Sequence, residues 1–183
     1  MTLPSDITIA FLLADGVSQE DVTIPRQVWE EAGITVHIVG FAEEVKAMIN
    51  DEWGVRFKTD ILFQEVDVER YDGLYIPGGA NHLTHLLEMK EVIAYVGSIY
   101  CAGKSIAAMN DGIQLLAEAG ILKNKKVAKQ PGAEIEGTIS EDEDVVQDNG
   151  IVTCASSEDI YAFTKRFLDE LLEGVHQRSS TII

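Results

Sequence analysis

Residues 7–14 (Ile-Thr-Ile-Ala-Phe-Leu-Leu-Ala) form a nearly continuous apolar run of strand length. A strand reads this way when both of its faces are buried, as they are inside a parallel sheet. Asp15-Gly16 ends the run. Ser18 then stands where a helix N-cap would, ahead of Asp21, Val22, Ile24, Val28 and Trp29 along one side of a helix that stops at Gly33. Pro25 falls in an early turn of that helix, where it costs least or produces a kink.

The alternation continues down the chain. Residues 34–39 predict a second strand, and residues 71–76 another that closes in the tight turn Pro77-Gly78-Gly79. Between them, residues 45–49 and 55–57 flank Asn50-Asp51, the pattern of a hairpin inserted into the crossover. A helix is expected over 83–101, a strand over 104–109, and a helix over 112–119 with Gly120 as its C-cap. Residues 125–129 and an irregular acidic stretch lead to a second hairpin, 144–147 with 150–154 around Asp148-Asn149, and a final amphipathic helix over 159–172. Strands alternating with helices through short turns predict an α/β fold: a flavodoxin-like three-layer sandwich with a mainly parallel sheet, helices on both faces and inserted β-hairpins. Residues 1–174 fit one domain and 175–183 a C-terminal tail, in a chain of 183 residues that suits one core.

Charge excludes partners rather than naming them. Fourteen basic against thirty-one acidic residues give a formal charge of -17, which repels nucleic acid and anionic membrane surfaces. The ordinary account of such acidity is solubility. Cys101 and Cys154 are too few for a disulfide scaffold, which points to a reducing compartment. Residues 1–6 enter the first apolar run without a basic region, a long hydrophobic stretch or a cleavage site. The expectation is a cytoplasmic protein that is neither exported nor inserted in a membrane.

In a doubly wound sheet, ligands bind beyond the carboxyl ends of the strands, so the turns after Ala14, Ile76 and Met109 are expected to converge. These turns carry Asp15-Gly16 with Asp21, Pro77-Gly78-Gly79, and Met109-Asn110-Asp111-Gly112. The last has the form of a nucleophile elbow, a strand-to-helix turn that lifts one side chain above the sheet beside helix-start amides. Asn, Asp and Gly also suit a turn with unusual backbone angles, which accounts for the residues without excluding a ligand. His82 and His85 lie one helical turn apart but lack an evident third ligand, so they are expected on a solvent-facing helix start and no metal or cofactor is expected. Cys101 reads as a packed or capping residue. Cys154 ends a strand near the pocket edge, a weak candidate for a surrogate thiol.

Residues 14–25 with Asp21, the run Tyr71-Asp72-Gly73-Leu74-Tyr75-Ile76-Pro77-Gly78-Gly79, and residues 103–112 resemble the signature blocks of the ThiJ/PfpI (DJ-one) family, which has a class I glutamine amidotransferase-like fold. Residues 115–122 and 148–172 follow in matching order, so the resemblance spans about 7–174. It implies an acidic residue at Asp21, amide donors of an oxyanion hole at Gly79 and Asp111, a nucleophilic cysteine at the position of Asn110, and a histidine at the position of Gln130. Gly78 and Gly112 complete the expected binding turns. It also implies a homodimer. A thiolate at a helix N-terminus is nucleophilic near neutral pH, whereas an amide is not; Asn110 offers two donor hydrogens and an acceptor oxygen instead.

Two readings of function follow from the resemblance. One is a non-thiol binding, stress-related or regulatory protein, a pseudoenzyme whose altered elbow pocket takes a small molecule. The other is an enzyme of glyoxalase, deglycase or small-electrophile hydratase type with Asp21 as general base. A third account is that Asn110 stands in place of a natural cysteine.

Overall fold

The structure, a computed structural model, describes residues 1–132 and 134–178. The apolar run forms β1 (Thr8–Leu12), and the two-residue β2 (Val17–Ser18) leads into α1 (Gln19–Glu31), with Ser18 at its N-cap and Pro25 inside it. Then come β3 (Thr35–Gly40), the antiparallel pair β4 (Glu44–Ile49) and β5 (Glu52–Lys58), and β6 (Ile61–Leu62). The second half holds β7 (Gly73–Ile76), α2 (Ala80–Leu87), α3 (Lys90–Cys101), β8 (Ser105–Met109), α4 (Ile113–Glu118), β9 (Lys126–Ala128), β10 (Ile139–Glu141), β11 (Val145–Asp148), β12 (Ile151–Cys154) and α5 (Ile160–Glu173).

The main sheet runs β11-β12-β8-β7-β1-β3-β6, parallel throughout except for the β11–β12 hairpin. It is the mainly parallel α/β sheet with inserted hairpins that the alternation predicts. On one face α2, α3 and α4 bury Leu86, Val92, Val96, Ile99, Leu115 and Leu116. The other face receives α1 and α5, where Trp29 packs at 5.6 Å from Phe11 and 5.2 Å from Tyr75 between ring centroids. The Trp29 indole N–H donates to the Thr164 carbonyl at 2.9 Å, so this large ring is buried without an orphan donor.

Several details differ from expectation. The helix expected over 83–101 is two helices, broken at Met89, whose backbone is extended. The break redirects the chain so that Leu86 and Val92, on either side of it, both reach the core. The second hairpin turns at Asn149-Gly150, with Asp148 still paired to Ile151, because those two residues hold the positive φ angles of +49° and +76° that a tight hairpin needs. Asn50 and Asp51 turn the first hairpin in the same way, at +50° and +60°. The acidic stretch contributes β10, paired in parallel to β9, where an irregular segment was expected.

The first described residues of the expected tail, 175–178, lie against the body. His176 N–H donates to the Gly103 carbonyl at 2.7 Å, and Arg178 donates to the carbonyls of Tyr100, Lys104 and Asn149. Residues 179–183 lie outside the described residues. Among the described residues no helix is long and apolar enough to cross a membrane.

Candidate functional site

Strand β8 ends at Met109 and passes through a single 3₁₀ turn, Asn110–Gly112, into α4. Asn110 has φ +49°, in the left-handed region that Asn tolerates better than most side chains. The turn is pressed onto the end of β7: a Cβ on Gly112 would fall 2.6 Å from the Ile76 carbonyl oxygen and 2.7 Å from that of Pro77. Only glycine allows that approach. The elbow predicted from the sequence is therefore present, with the Asn110 side chain held toward the first turn of α1.

Asp21 waits there, 1% exposed. Its Oδ2 accepts the Gly78 amide at 3.1 Å and the Asn110 Nδ2 at 3.2 Å, and its Oδ1 accepts the Ser157 hydroxyl at 2.9 Å. The second Asn110 amide hydrogen goes to the Ser157 Oγ at 2.9 Å. Asn110, Ser157 and Asp21 thus close a small ring in which both amide hydrogens and the hydroxyl proton are spent. Burial pushes the Asp21 carboxyl above its usual range, while the donors from Ser157, Asn110, Gly78 and Ser18 pull it part of the way back. Below the ring, the Tyr75 hydroxyl donates to the Asp21 carbonyl at 2.7 Å and so fixes the start of α1 over β7.

The remaining expected residues take different stations around this ring. Gly79, at φ +128°, directs its amide to the Asp111 Oδ2 at 3.4 Å, so one expected oxyanion donor is covered by the exposed carboxylate beside it. Gly78 serves through its amide, and a Cβ there would fall 2.6 Å from the Asp21 Oδ2. Gln130 reaches the elbow from beyond β9: its Nε2 donates to the Asn110 carbonyl, and its Oε1 lies 3.5 Å from the Gln114 Nε2. Gly112 is buried beneath the turn and acts by allowing close packing.

The sulfur and imidazole candidates stand apart from this chemistry. Cys154 pairs with Met109 across β12 and β8, but it is fully buried, and its thiol donates to the Ser156 carbonyl at 3.1 Å. Burial pushes that thiol up to about 11, so it is not a thiolate at neutral pH. Cys101 closes α3, half-buried and away from the elbow. His82 departs from expectation: it is wholly buried, and its Nδ1 accepts the Ala14 amide at the end of β1 at 2.9 Å. Close packing of α2 on the turn after β1 puts it there, since a Cβ on Gly16 would fall 2.5 Å from that of Asn81. Burial lowers the His82 imidazole to about 4, so it is neutral, whereas His85 is exposed.

Ser157 is the participant that sequence reasoning missed. It lies in the 3₁₀ turn Ser157–Asp159 just past β12, and β12 neighbours β8 in the sheet. Once those strands are adjacent, the hydroxyls of Ser156-Ser157 must lie at the carboxyl edge beside the elbow. The signal was present, but it required the strand order.

The DJ-1/PfpI family profile matches residues 7–170. The chain is 30% identical over 165 residues to Deglycase PfpI of Pyrococcus furiosus, covering 87% of this chain and 96% of that one. It is 28% identical over 165 residues to Deglycase PH1704 of Pyrococcus horikoshii, with the same coverage of 87% and 96%. Among solved structures, a ThiJ/PfpI domain protein from Brachyspira murdochii superposes with a TM-score of 0.84 at 18% identity, over 94% of this chain and 99% of the other.

Proposed function

Because the chain belongs to the DJ-1/PfpI family while an amide stands at its elbow, we propose that it is a non-thiol member that binds a small carbonyl- or carboxylate-bearing molecule, in a regulatory or stress-related role. The observation that carries this reading is the closed ring of Asn110, Ser157 and Asp21, with separations of 3.2, 2.9 and 2.9 Å. An amide with both hydrogens committed offers no covalent route. A ligand oxygen would instead take the Gly79 amide, whose 3.4 Å bond to Asp111 is long for an N–H···O contact and is the easiest of the set to exchange.

The experiment is a titration of isotopically labelled protein with small 2-oxo acids and aldehydes, following the amides of Gly79, Asn110 and Asp111. Saturable shifts confined to these residues are expected, and methylglyoxal consumption should not depend on thiol. Consumption abolished by iodoacetamide would overturn the reading, as would an elbow indifferent to every such compound.

A second reading has its own support. The relatives named deglycases, at 28–30% identity, and the upward shift of the Asp21 carboxyl favour an enzyme in which Asp21 activates water. Carbonyl turnover that survives iodoacetamide and disappears in Asp21→Asn would select it.

A further inference from the structure

At the edge of the sheet opposite the elbow, Glu170 and Glu173 from the last turn of α5 meet His176 from the segment that follows. One oxygen of each carboxylate and one ring nitrogen of the imidazole all lie within 4.8 Å of one another. Glu170 is 1% exposed, yet among the described residues its Oε2 has no hydrogen-bond partner. The His176 Nε2 comes within 3.1 Å of that oxygen without forming a hydrogen bond to it. A buried carboxylate oxygen left in this state is costly unless a proton or a cation satisfies it.

The surroundings hold these groups in place without meeting that need. His176 is fixed by its amide bond to the Gly103 carbonyl at 2.7 Å, and its ring lies against Gly150, where a Cβ would fall 2.5 Å from the ring Cδ2. The Ser105 hydroxyl, at the start of β8, stands 3.4 Å from the Nε2. Arg178 gives its hydrogen bonds to the carbonyls of Tyr100, Lys104 and Asn149 and lays its guanidinium over the Tyr100 ring. Glu173 is exposed, which leaves an open approach from solvent.

We propose that Glu170, Glu173 and His176 bind a single divalent transition-metal ion of the zinc type. Two donors at roughly 2.0–2.2 Å from a common zinc ion, at the tetrahedral angle, stand about 3.4 Å apart. The observed 3.1 Å between the Glu170 Oε2 and the His176 Nε2 is close to that spacing. An imidazole with two carboxylates suits zinc better than calcium or magnesium, which favour all-oxygen sets. The ion would join the end of α5 to the segment that crosses beneath β8 and the β11–β12 turn, and would stabilise the native state by binding it alone. The inference is independent of the elbow and of any ligand there.

The test uses untagged full-length protein stripped with chelator, then dialysed against Zn²⁺ with metal analysis, alongside thermal melts. One zinc per chain and a raised melting temperature are expected, with Ca²⁺ and Mg²⁺ inactive. Glu173→Gln changes an exposed side chain and should leave the fold intact while weakening zinc binding by roughly tenfold or more. His176→Gln should do the same, and Co²⁺ in the intact protein should show the visible absorption of a low-coordinate site, lost in both variants. Failure to retain zinc through the dialysis, binding as tight in Glu173→Gln as in the parent, or equal preference for Ca²⁺ would each overturn the proposal. Should His176→Gln not fold, Glu173→Gln and the cobalt spectrum decide the matter.

Discussion

The hydroxyl of Ser157 lies 2.9 Å from the Asp21 carboxylate across 136 residues of chain, and it is the bridge that closes the elbow ring. It accepts from Asn110 and donates to Asp21, so each neighbour loses one hydrogen bond without it.

Ser157→Ala should therefore cost roughly 1–2 kcal/mol, because it removes one hydrogen bond from Asn110 and one from Asp21 at a partly buried site. It also removes the largest of the influences that pull the Asp21 carboxyl downward, so that carboxyl should titrate higher still. Urea melts measure the first effect and carboxyl-carbon NMR titration the second. An unchanged Asp21 titration would mean that the bond to Ser157 carries no electrostatic weight.

Asn110→Cys should give a reactive thiol without unfolding the domain. The left-handed turn and the helix-start amides stay in place, and the lost hydrogen bonds are worth about 1 kcal/mol each on balance. Asp21, shifted upward, can lend its proton near the new sulfur, whereas an ionised Asp21 would oppose a thiolate. Mass spectrometry after brief iodoacetamide treatment should find this site labelled well before Cys154, which is fully buried with its thiol pushed up to about 11. Labelling no faster than that of an unactivated cysteine would show that the environment has lost its activating character along with the nucleophile.

His82 should make the fold sensitive to mild acid. Its folded value of about 4 lies below the ordinary 6.5, so the unfolded chain takes up the proton first as pH falls. The stability that neutral His82 contributes is complete above about 6.5 and is lost as pH falls toward 4, by about 3 kcal/mol at the lower end. Urea midpoints measured across this window should fall more steeply for the parent than for His82→Gln, whose side-chain oxygen can still accept the Ala14 amide. Parallel curves would remove His82 from the account.

The resemblance to ThiJ/PfpI proteins also leads us to expect a homodimer. Light scattering at micromolar concentrations should return twice the chain mass, with a total buried area above about 1,200 Å². A monomer mass throughout that range would refute it.

What could be read from the residues alone was whatever depends on local pattern. The doubly buried run at 7–14, the Asn50-Asp51 turn and the Asn110 elbow each declare themselves through composition or backbone preference. Asp21 stood beside the first of the converging turns, Gln130 came from the family resemblance, and the geometry brings both to Asn110. Ser157 and His82 were not legible, for one physical reason. The role of each is set by a group from a distant strand: Asp21 and Asn110 for the first, the Ala14 amide at the end of β1 for the second. Spacing along the chain records neither. The Glu170, Glu173 and His176 cluster has regular spacing, but the burial of Glu170 against the sheet is what distinguishes it from an ordinary acidic helix end.

The contact between Asp111 and Gly79 has a consequence for any molecule that enters the elbow. A carboxylate attached to the neighbouring backbone acts as a built-in competitor, with an effective concentration on the order of millimolar or above. Affinity measured for any ligand of the Gly79 amide would then be the intrinsic affinity divided by that competition, by the same factor for every ligand. Truncating Asp111 would raise the affinity of every such ligand together. The affinity of the elbow would thus be set in part by a side chain that a ligand displaces rather than one it touches.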